Sequence, residues 1–224
     1  MGRFYRMGIA AVTESGREGL PRCWGTGDEL MAAYHDGEWG FPLHDDQALF
    51  AHLMLDIFQA GLSWRTILYK RPAFLLAFDG FQPEVVARYG AADRRRLLAN
   101  KGIVRNRLKI EAAIANARAC LKVKEEFATF DRYLWRFTGG RTLKGPPAKT
   151  FTELRASCPE SDAMARDLRA HGFTFVGTTI CYAFMQAVGM IDDHLVDCYR
   201  YRPDGASSAR PTFRSSRRLD GGEA

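Results

Sequence analysis

The spacing of apolar residues limits the fold of this chain more than any other feature of its sequence. Between Leu49 and Phe58, apolar side chains recur at i, i+3, i+4 and i+7, which places them on one face of a helix. An acidic residue just before this run, Asp45 or Asp46, can cap the helix. The same periodicity recurs over residues 105–121, and no stretch alternates apolar and polar residues between hairpin turns. The sequence therefore predicts an all-α fold, and a sheet is not expected.

The 224 residues divide into three regions of different composition. Residues 1–20 lack periodicity and are predicted to form a flexible N-terminal extension. Residues 21–202 are predicted to form one helical domain of two lobes, with the glycine- and proline-rich stretch 138–150 as the loop between the lobes. Residues 203–224 are rich in Pro, Gly, Ser and Arg, a composition that predicts a disordered basic tail.

Charge, cysteine content and the lack of long apolar runs limit the cellular compartment and the binding partners that we expect for this protein. The formal net charge of +6 permits a nucleic-acid partner but does not require one, because much of it falls in the C-terminal tail. Five cysteines, an odd number, without an apolar leader favour reduced thiols or metal ligands over disulfides. No run approaches the ~18 apolar residues of a membrane span. We therefore expect a cytoplasmic monomer with no membrane partner.

Two pairs of metal-ligand residue types lie far apart in the sequence. His194 and Cys198 are four residues apart and would share one face of a helix, whereas Cys23 and His35 are separated by a loop-like interval. Together they would form a closed Cys2His2 zinc site that ties the N-terminal segment to the C-terminal one. The alternative is packed thiols beside two surface histidines, and the spacing alone leaves it open.

A second pattern, over residues 162–188, predicts two helices joined by a tight turn. Ser161 can cap the first helix, and Gly172 stands where a left-handed residue would end it. The second helix begins near Thr178, just after Gly177. Backbone N–H groups at such a turn can bind a phosphate, although a plain helical hairpin gives the same pattern.

A third pattern places polar groups in an apolar helix. Asp56 lies among apolar residues, Gln59 follows on the same side, and Trp64 ends the run with a flat π surface. A buried carboxylate costs several kcal/mol unless it is paired or used, so Asp56 either faces solvent or belongs to a site. Glu38, in a short polar stretch, is either catalytic or holds a turn together, and we prefer the second interpretation.

Five segments in order now carry a family resemblance: YHDGEWGFP, LDIFQAGLSW, KGIVRNRLKIEAAIANA, GFTFVGTTICYAFMQAVG and DDHLVDC. Together they resemble the DNA-3-methyladenine glycosylase I family of the helix-hairpin-helix superfamily, over about residues 22–200. The resemblance implies an all-α fold and a structural zinc site tying the N- and C-terminal segments together.

The resemblance also implies roles for individual residues. The implied zinc ligands are Cys23, His35, His194 and Cys198. The implied base-binding residues are Tyr34, Trp39, Asp56, Gln59 and Trp64. Leu62 matches the residue that fills the base stack when the damaged nucleotide leaves it. The residues expected to contact DNA are Leu62, Gly172, Gly177 and Thr178.

The chain departs from the family pattern at three positions of interest. Asp56 stands where the best-known members have Glu, which shortens the reach of the carboxylate by ~1.5 Å, about one C–C bond. Met31 replaces a pocket Tyr of some members and removes a hydroxyl. Asp192 stands where members often have Asn, near a catalytic Asp of the wider superfamily, so a catalytic contribution is expected from Asp192 as well as from Asp56.

The expected activity is base-excision repair of alkylated double-stranded DNA. The enzyme would flip the nucleotide, hydrolyse the N-glycosidic bond and release 3-methyladenine. No Lys adjoins the motifs as an amine nucleophile, so no strand-cleaving lyase step is expected. One structural Zn²⁺ per chain is expected as cofactor. Two alternatives are a non-enzymatic helix-hairpin-helix DNA-binding module and a zinc hydrolase unrelated to DNA, which would need an open coordination position.

Overall fold

The computed structural model describes residues 19–203 and confirms a mainly helical chain. Most of the expected N-terminal extension and all but one residue of the expected basic tail lie outside this range. Within it, no helix is long and apolar enough to cross a membrane. The α-helices are α1 (Glu29–Gly37), α2 (Asp46–Gln59), α3 (Trp64–Ala77), α4 (Pro83–Val86), α5 (Ala91–Ala99), α6 (Arg107–Phe127), α7 (Phe130–Trp135), α8 (Pro159–Ala170) and α9 (Thr178–Ala187).

Helix α2 forms the centre of the core. Asp45, one of the two residues predicted to cap this helix, is its N-cap and accepts a hydrogen bond from the backbone N–H of Ala48. Nearly all side chains of α2 are buried, because helices α3, α6, α7 and α9 pack around it. A helix that is covered on all sides fixes the position of any polar group that it carries.

The prediction that the chain has no sheet is wrong at one place. Residues Leu143–Lys144 (β1) pair in parallel with Ile191–Asp192 (β2) inside and beside the predicted 138–150 loop. The N–H of Leu143 donates to the Met190 carbonyl. The backbone groups of this loop need hydrogen-bond partners, which β2 supplies, although the side-chain pattern of the loop has no strand periodicity.

Helices α8 and α9 form the predicted hairpin. The cap of α8 is Cys158 rather than Ser161, because the helix begins at Pro159 and the Ser161 hydroxyl instead bonds back to the Cys158 backbone. Gly172 has the predicted left-handed conformation, with φ of 88°. The N–H of Phe173 donates to the Leu168 carbonyl, which completes a Schellman ending.

The segment between α1 and α2 is fastened to the end of α9. The N–H groups of Gly40 and Leu43 donate to the carbonyls of Ala187 and Val188. Gly189 permits this approach, because a Cβ there would lie 2.4 Å from the carbonyl carbon of Phe41. Helices α1, α2, α3 and α9 are thereby brought together around one pocket.

Candidate functional site: an aromatic pocket with a buried carboxylate

A cavity of about 540 Å³ lies where these four helices meet. All five residues that the sequence analysis expected to bind the base line this cavity. The residues that line the cavity are Trp24, Met31, Tyr34, Trp39, Asp56, Gln59, Trp64, Phe151, Leu154, Arg155, Ala156, Ala183, Gln186 and Ala187.

Aromatic rings form much of the pocket wall. The ring of Tyr34 lies 5.2 Å from that of Trp64 and 5.7 Å from that of Trp24, measured between centroids. Trp24 in turn meets Trp39 edge-on at 5.5 Å. The rings come from α1, from α3 and from the chain around them, so the fold rather than a local motif assembles the wall. Such a wall suits a flat ring, and a cationic ring in particular.

Asp56 is buried in this pocket and does not face solvent. Only 4% of the residue is exposed. Burial raises the pKa of the carboxyl, and the neighbouring His52 opposes that rise. The interpretation of Asp56 as a site residue is therefore favoured over the solvent-facing alternative.

His52, which contacts two pocket residues without lining the cavity, is a residue that the sequence analysis missed. It lies one helical turn before Asp56, and its Nδ1 is 3.6 Å from the Oδ2 of Asp56. Its Nε2 is 3.3 Å from the hydroxyl oxygen of Tyr34. The i, i+4 spacing of His52 and Asp56 on α2 was the signal that could have found it.

The Glu38 side chain forms an ion pair with a distant residue, Arg71 of α3, where the sequence analysis expected it to hold its own turn together. Its carboxylate accepts hydrogen bonds of 2.7 and 2.9 Å from the buried Arg71 guanidinium. The guanidinium lies 5.8 Å from the Tyr34 ring centroid. Glu38 therefore fixes Arg71 behind the pocket wall.

Leu62 lies on the turn between α2 and α3, beside the pocket, and 41% of it is exposed. A buried lysine of α6 holds the start of this turn. The Lys109 ammonium donates to the carbonyls of Phe58 and Ala60, at 2.9 and 2.6 Å. An apolar side chain on a short, anchored turn is suited to insertion between bases.

Three of the four predicted metal ligands come together. The ligand atoms of Cys23, His35 and Cys198 all lie within 4.8 Å of one another, and all three residues are buried. Hydrogen bonds from Cys23 and His35 hold the pKa of the Cys198 thiol below its usual range. This group could hold a metal ion.

His194 adjoins this group without belonging to it. Its ring lies 5.5 Å from that of His35, and its Nε2 is buried without a hydrogen-bond partner among the described residues. An orphaned imidazole nitrogen beside two thiols and a second imidazole fits a fourth metal ligand. The four predicted ligands are therefore neighbours, and three of them form a group that could hold a metal ion.

Asp192 does not line the pocket. Its Oδ1 lies 2.7 Å from the Nδ1 of His194, and its Oδ2 accepts a 2.9 Å hydrogen bond from Lys144. His194 and Lys144 lower the pKa of this carboxyl to about 2, against the opposing effect of burial. Its catalytic role stays a prediction, and its contacts favour a role beside His194 instead.

The turn of the α8–α9 hairpin is held from α6. The side-chain amide of Asn116 accepts from the N–H of Thr174 and donates to its carbonyl. A Cβ at Gly172 or Gly177 would meet no atom within 4 Å, so the backbone is open to an approaching ligand there. The Thr178 hydroxyl is already bonded to Asp162. Its backbone N–H, at the first position of α9, has no acceptor within the helix and could meet a ligand.

The pocket mouth contains residues that no sequence pattern indicated. Phe151, Leu154 and Arg155 come from the stretch before α8, which includes a short 3-10 helix over Phe151–Glu153. Only their tertiary placement shows that they border the cavity.

Fold and pocket together define a helical protein that has a helical hairpin and an aromatic pocket built around one buried acid. Comparison with known sequences gives the family. The profile of the methyladenine glycosylase family matches residues 24–201, and the chain belongs to this family.

Individual relatives agree with this assignment. The chain is 43% identical to DNA-3-methyladenine glycosylase 1 of Escherichia coli (strain K12) over 183 residues, 81% of this chain and 97% of the relative. It is 38% identical to the DNA-3-methyladenine glycosylase of Haemophilus influenzae over 185 residues, 79% of this chain and 96% of that one.

Solved structures share the fold. A crystal structure of 3-methyladenine DNA glycosylase I superimposes with a TM-score of 0.78 at 43% identity, covering 81% of this chain and all of the other. A second, of a 3-methyladenine DNA glycosylase I in complex with 3-methyladenine, gives a TM-score of 0.74 at 35% identity, covering 78% and 95%.

Proposed function

We propose that this chain is a base-excision repair enzyme that hydrolyses the N-glycosidic bond of 3-methyladenine in alkylated duplex DNA. The observation that carries the proposal is the buried Asp56 carboxylate inside an aromatic pocket. The relatives named for this activity, and the related structure with 3-methyladenine, support the same conclusion.

The pocket suits the charge of the damaged base. Adenine alkylated at N3 is cationic within the nucleotide, and its glycosidic bond is weak because the base leaves neutral. The rings of Tyr34 and Trp64 can hold the flat cation, with each good face contributing roughly 1–2 kcal/mol. Asp56 supplies a negative charge in a site where burial strengthens its effect. The protein then needs to bind and orient the base more than to protonate it.

Asp56 also discriminates between bases. The exocyclic amine of adenine can donate to its carboxylate, whereas guanine presents a carbonyl oxygen at the corresponding position. Gln59, on the next turn of α2, lines the same cavity and adds a donor and an acceptor. The side chain of Asp56 is one methylene shorter than the Glu of the best-known members, so a water molecule or a small shift of α2 would have to bridge the remaining distance to the base.

Extraction of the nucleotide falls to the surface beside the pocket. Unstacking costs a few kcal/mol, which Leu62 offsets by filling the gap in the base stack. The open backbone at Gly172 and Gly177, with the N-terminus of α9 at Thr178, would hold DNA phosphates. We propose double-stranded DNA as the partner and a monomer as the acting form.

The metal group has a structural role in this proposal. Zn²⁺ held by Cys23, His35, His194 and Cys198 would fasten the N-terminal segment to the C-terminal one. With four protein ligands no position is open for substrate, so the zinc-hydrolase alternative is disfavoured.

The reaction is proposed to stop at base release. A lyase step needs an amine nucleophile at the sugar, and no lysine is among the residues that line the described cavity. The buried Lys109 donates hydrogen bonds from its ammonium to the carbonyls of Phe58 and Ala60 at the end of α2.

Replacement of Asp56 tests the proposal. Asp56→Asn should lower the single-turnover rate of 3-methyladenine release at least a hundredfold, while affinity for duplex DNA changes less than about twofold. Asp131→Asn, the same change at a half-buried position outside the pocket, is the matched control. Unchanged excision by Asp56→Asn would remove Asp56 from the mechanism. A wild-type protein that binds duplex DNA and releases no base would favour the non-enzymatic DNA-binding module.

A further inference from the structure

His52 is buried directly behind the pocket wall. Its ring packs against that of Trp64, at 5.7 Å between centroids and 13° between planes, and against that of Tyr34, at 6.2 Å and 29°. It is 8% exposed and does not itself border the cavity. Any effect of His52 on a bound base must therefore pass through the residues that it contacts.

The two ring nitrogens face two groups of the pocket. Nδ1 of His52 and Oδ2 of Asp56 are 3.6 Å apart, and among the described residues neither atom has a hydrogen-bond partner within ordinary distance. Nε2 lies within hydrogen-bond distance of the Tyr34 hydroxyl. A buried, unpaired nitrogen beside a buried, unpaired carboxylate oxygen is costly unless the two share a proton.

Of the two neutral tautomers of His52, one satisfies all three side chains when Asp56 is ionised. A neutral imidazole with its proton on Nδ1 turns a donor toward the Asp56 carboxylate and leaves Nε2 to accept the Tyr34 hydroxyl proton. The other tautomer would set the Nδ1 lone pair against the carboxylate oxygen. The first arrangement keeps the Asp56 carboxylate ionised and directs the Tyr34 hydroxyl proton away from the cavity.

We propose that His52 is a positioning residue that makes the pocket present only hydrogen-bond acceptors to the exocyclic group of a bound base. Through His52, the free oxygen of Asp56 and a lone pair of Tyr34 face the cavity, and no proton is left on either to face a carbonyl. The inference deepens the proposed function and rests on it. It also explains how a carboxylate one carbon shorter than that of other family members is held at a fixed place.

The consequence is selectivity. A base with an exocyclic amine, such as 3-methyladenine, can donate to both acceptors. A base with a carbonyl at that place, such as 3-methylguanine, meets two acceptors and leaves buried polar groups unpaired. Without His52, the Tyr34 hydroxyl is free to rotate its proton into the cavity and to donate a hydrogen bond to that carbonyl.

A double-mutant cycle tests the proposal. His52→Phe keeps a flat ring against Trp64 and removes both nitrogens, and His52→Gln restores a donor and an acceptor. We expect His52→Phe to slow single-turnover release of 3-methyladenine about tenfold, with less effect on release of 3-methylguanine, and His52→Gln to recover part of the loss. In the Asp56→Asn background, His52→Phe should have little further effect.

Controls separate this role from a loss of packing. His44→Phe makes the same change on an exposed histidine outside the pocket and should leave excision unchanged. Thermal unfolding of each variant reports the fold. An equal loss for both bases, or an equal loss with and without Asp56, would overturn the proposal.

A further measurement separates the inference from the proposed function. Absence of 3-methyladenine release by wild-type protein would refute the function, and the same cycle would then be measured on binding of free 3-methyladenine by tryptophan fluorescence. Coupling between His52 and Asp56 in that binding would sustain the inference. Absence of coupling, or of binding by wild-type protein, would refute it.

Discussion

Oδ1 of Asp192 lies 2.7 Å from Nδ1 of His194, and this contact changes the interpretation of a residue expected to be catalytic. The contact fixes the orientation of the imidazole, so that its other nitrogen, Nε2, remains available to the neighbouring group of Cys23, His35 and Cys198. Carboxylates that orient a metal-ligating histidine in this way raise metal affinity.

The first prediction follows from this contact. Asp192→Asn should weaken zinc retention about 10- to 100-fold, because the outer partner of His194 loses its charge. Excision by the metal-loaded variant should stay within a few-fold of wild type. Zinc is measured by competition with a chromophoric chelator. Loss of excision with zinc retained would instead support a catalytic Asp192.

The second prediction concerns Lys109. Lys109→Met keeps the apolar stem and removes the ammonium from the Phe58 and Ala60 carbonyls, which should lower the free energy of unfolding by about 1.5–3 kcal/mol. The turn that carries Leu62 loosens, so excision from duplex DNA should fall more than binding of free 3-methyladenine. Lys122→Met, an exposed lysine of the same helix, is the control. Equal effects of the two variants would contradict the anchoring role.

The third prediction compares two glycines with left-handed backbones. Gly172→Ala should cost about 1–2 kcal/mol of unfolding free energy, the strain of that conformation alone, since nothing lies within 4 Å of the added Cβ. Gly189→Ala adds a collision with Phe41, which should raise the cost by a further ~1–3 kcal/mol. Chemical denaturation measures both, and similar losses would mean that the α9 end is not packed as described.

The fourth prediction is a pH dependence. Burial raises the pKa of Asp56 above the 3.8 of an ordinary aspartate, and the ionised form is the one that accepts from the base. Excision should therefore fall on acidification at a higher pH than an exposed carboxylate would give. The contribution of Asp56 to the free energy of unfolding has the opposite pH dependence. It is present at low pH, where the carboxyl is protonated, and is lost as pH rises through the raised pKa.

The fall in excision on acidification is measured from single-turnover rates at a series of pH values, corrected for spontaneous base loss. Asp56→Asn should remove this fall and make the protein more stable near neutral pH. A fall at the ordinary aspartate pKa, with unchanged stability of Asp56→Asn, would contradict the burial of this charge.

The helical fold was predictable because its periodicity is local. The Asp45 cap and the left-handed Gly172 follow from neighbouring residues alone, and both are confirmed. The β1–β2 pairing was not predictable, since two residues give no period. Its partners meet only through the tertiary fold.

The residues of the site also divide into those that the local sequence indicates and those that only the tertiary fold places there. Asp56 stood out because a carboxylate in an apolar helix requires an explanation. The i, i+4 spacing of His52 and Asp56 on one helix could have indicated His52 as well. Arg155 has no such pattern, because only the tertiary fold brings this exposed residue of an irregular segment to the pocket.

Identification of the bases that the protein releases from methylated duplex DNA would test the proposed glycosylase activity. We predict release of 3-methyladenine, with little 7-methylguanine and no strand cleavage. A folded, zinc-loaded protein that binds the duplex and releases no 3-methyladenine would contradict this prediction.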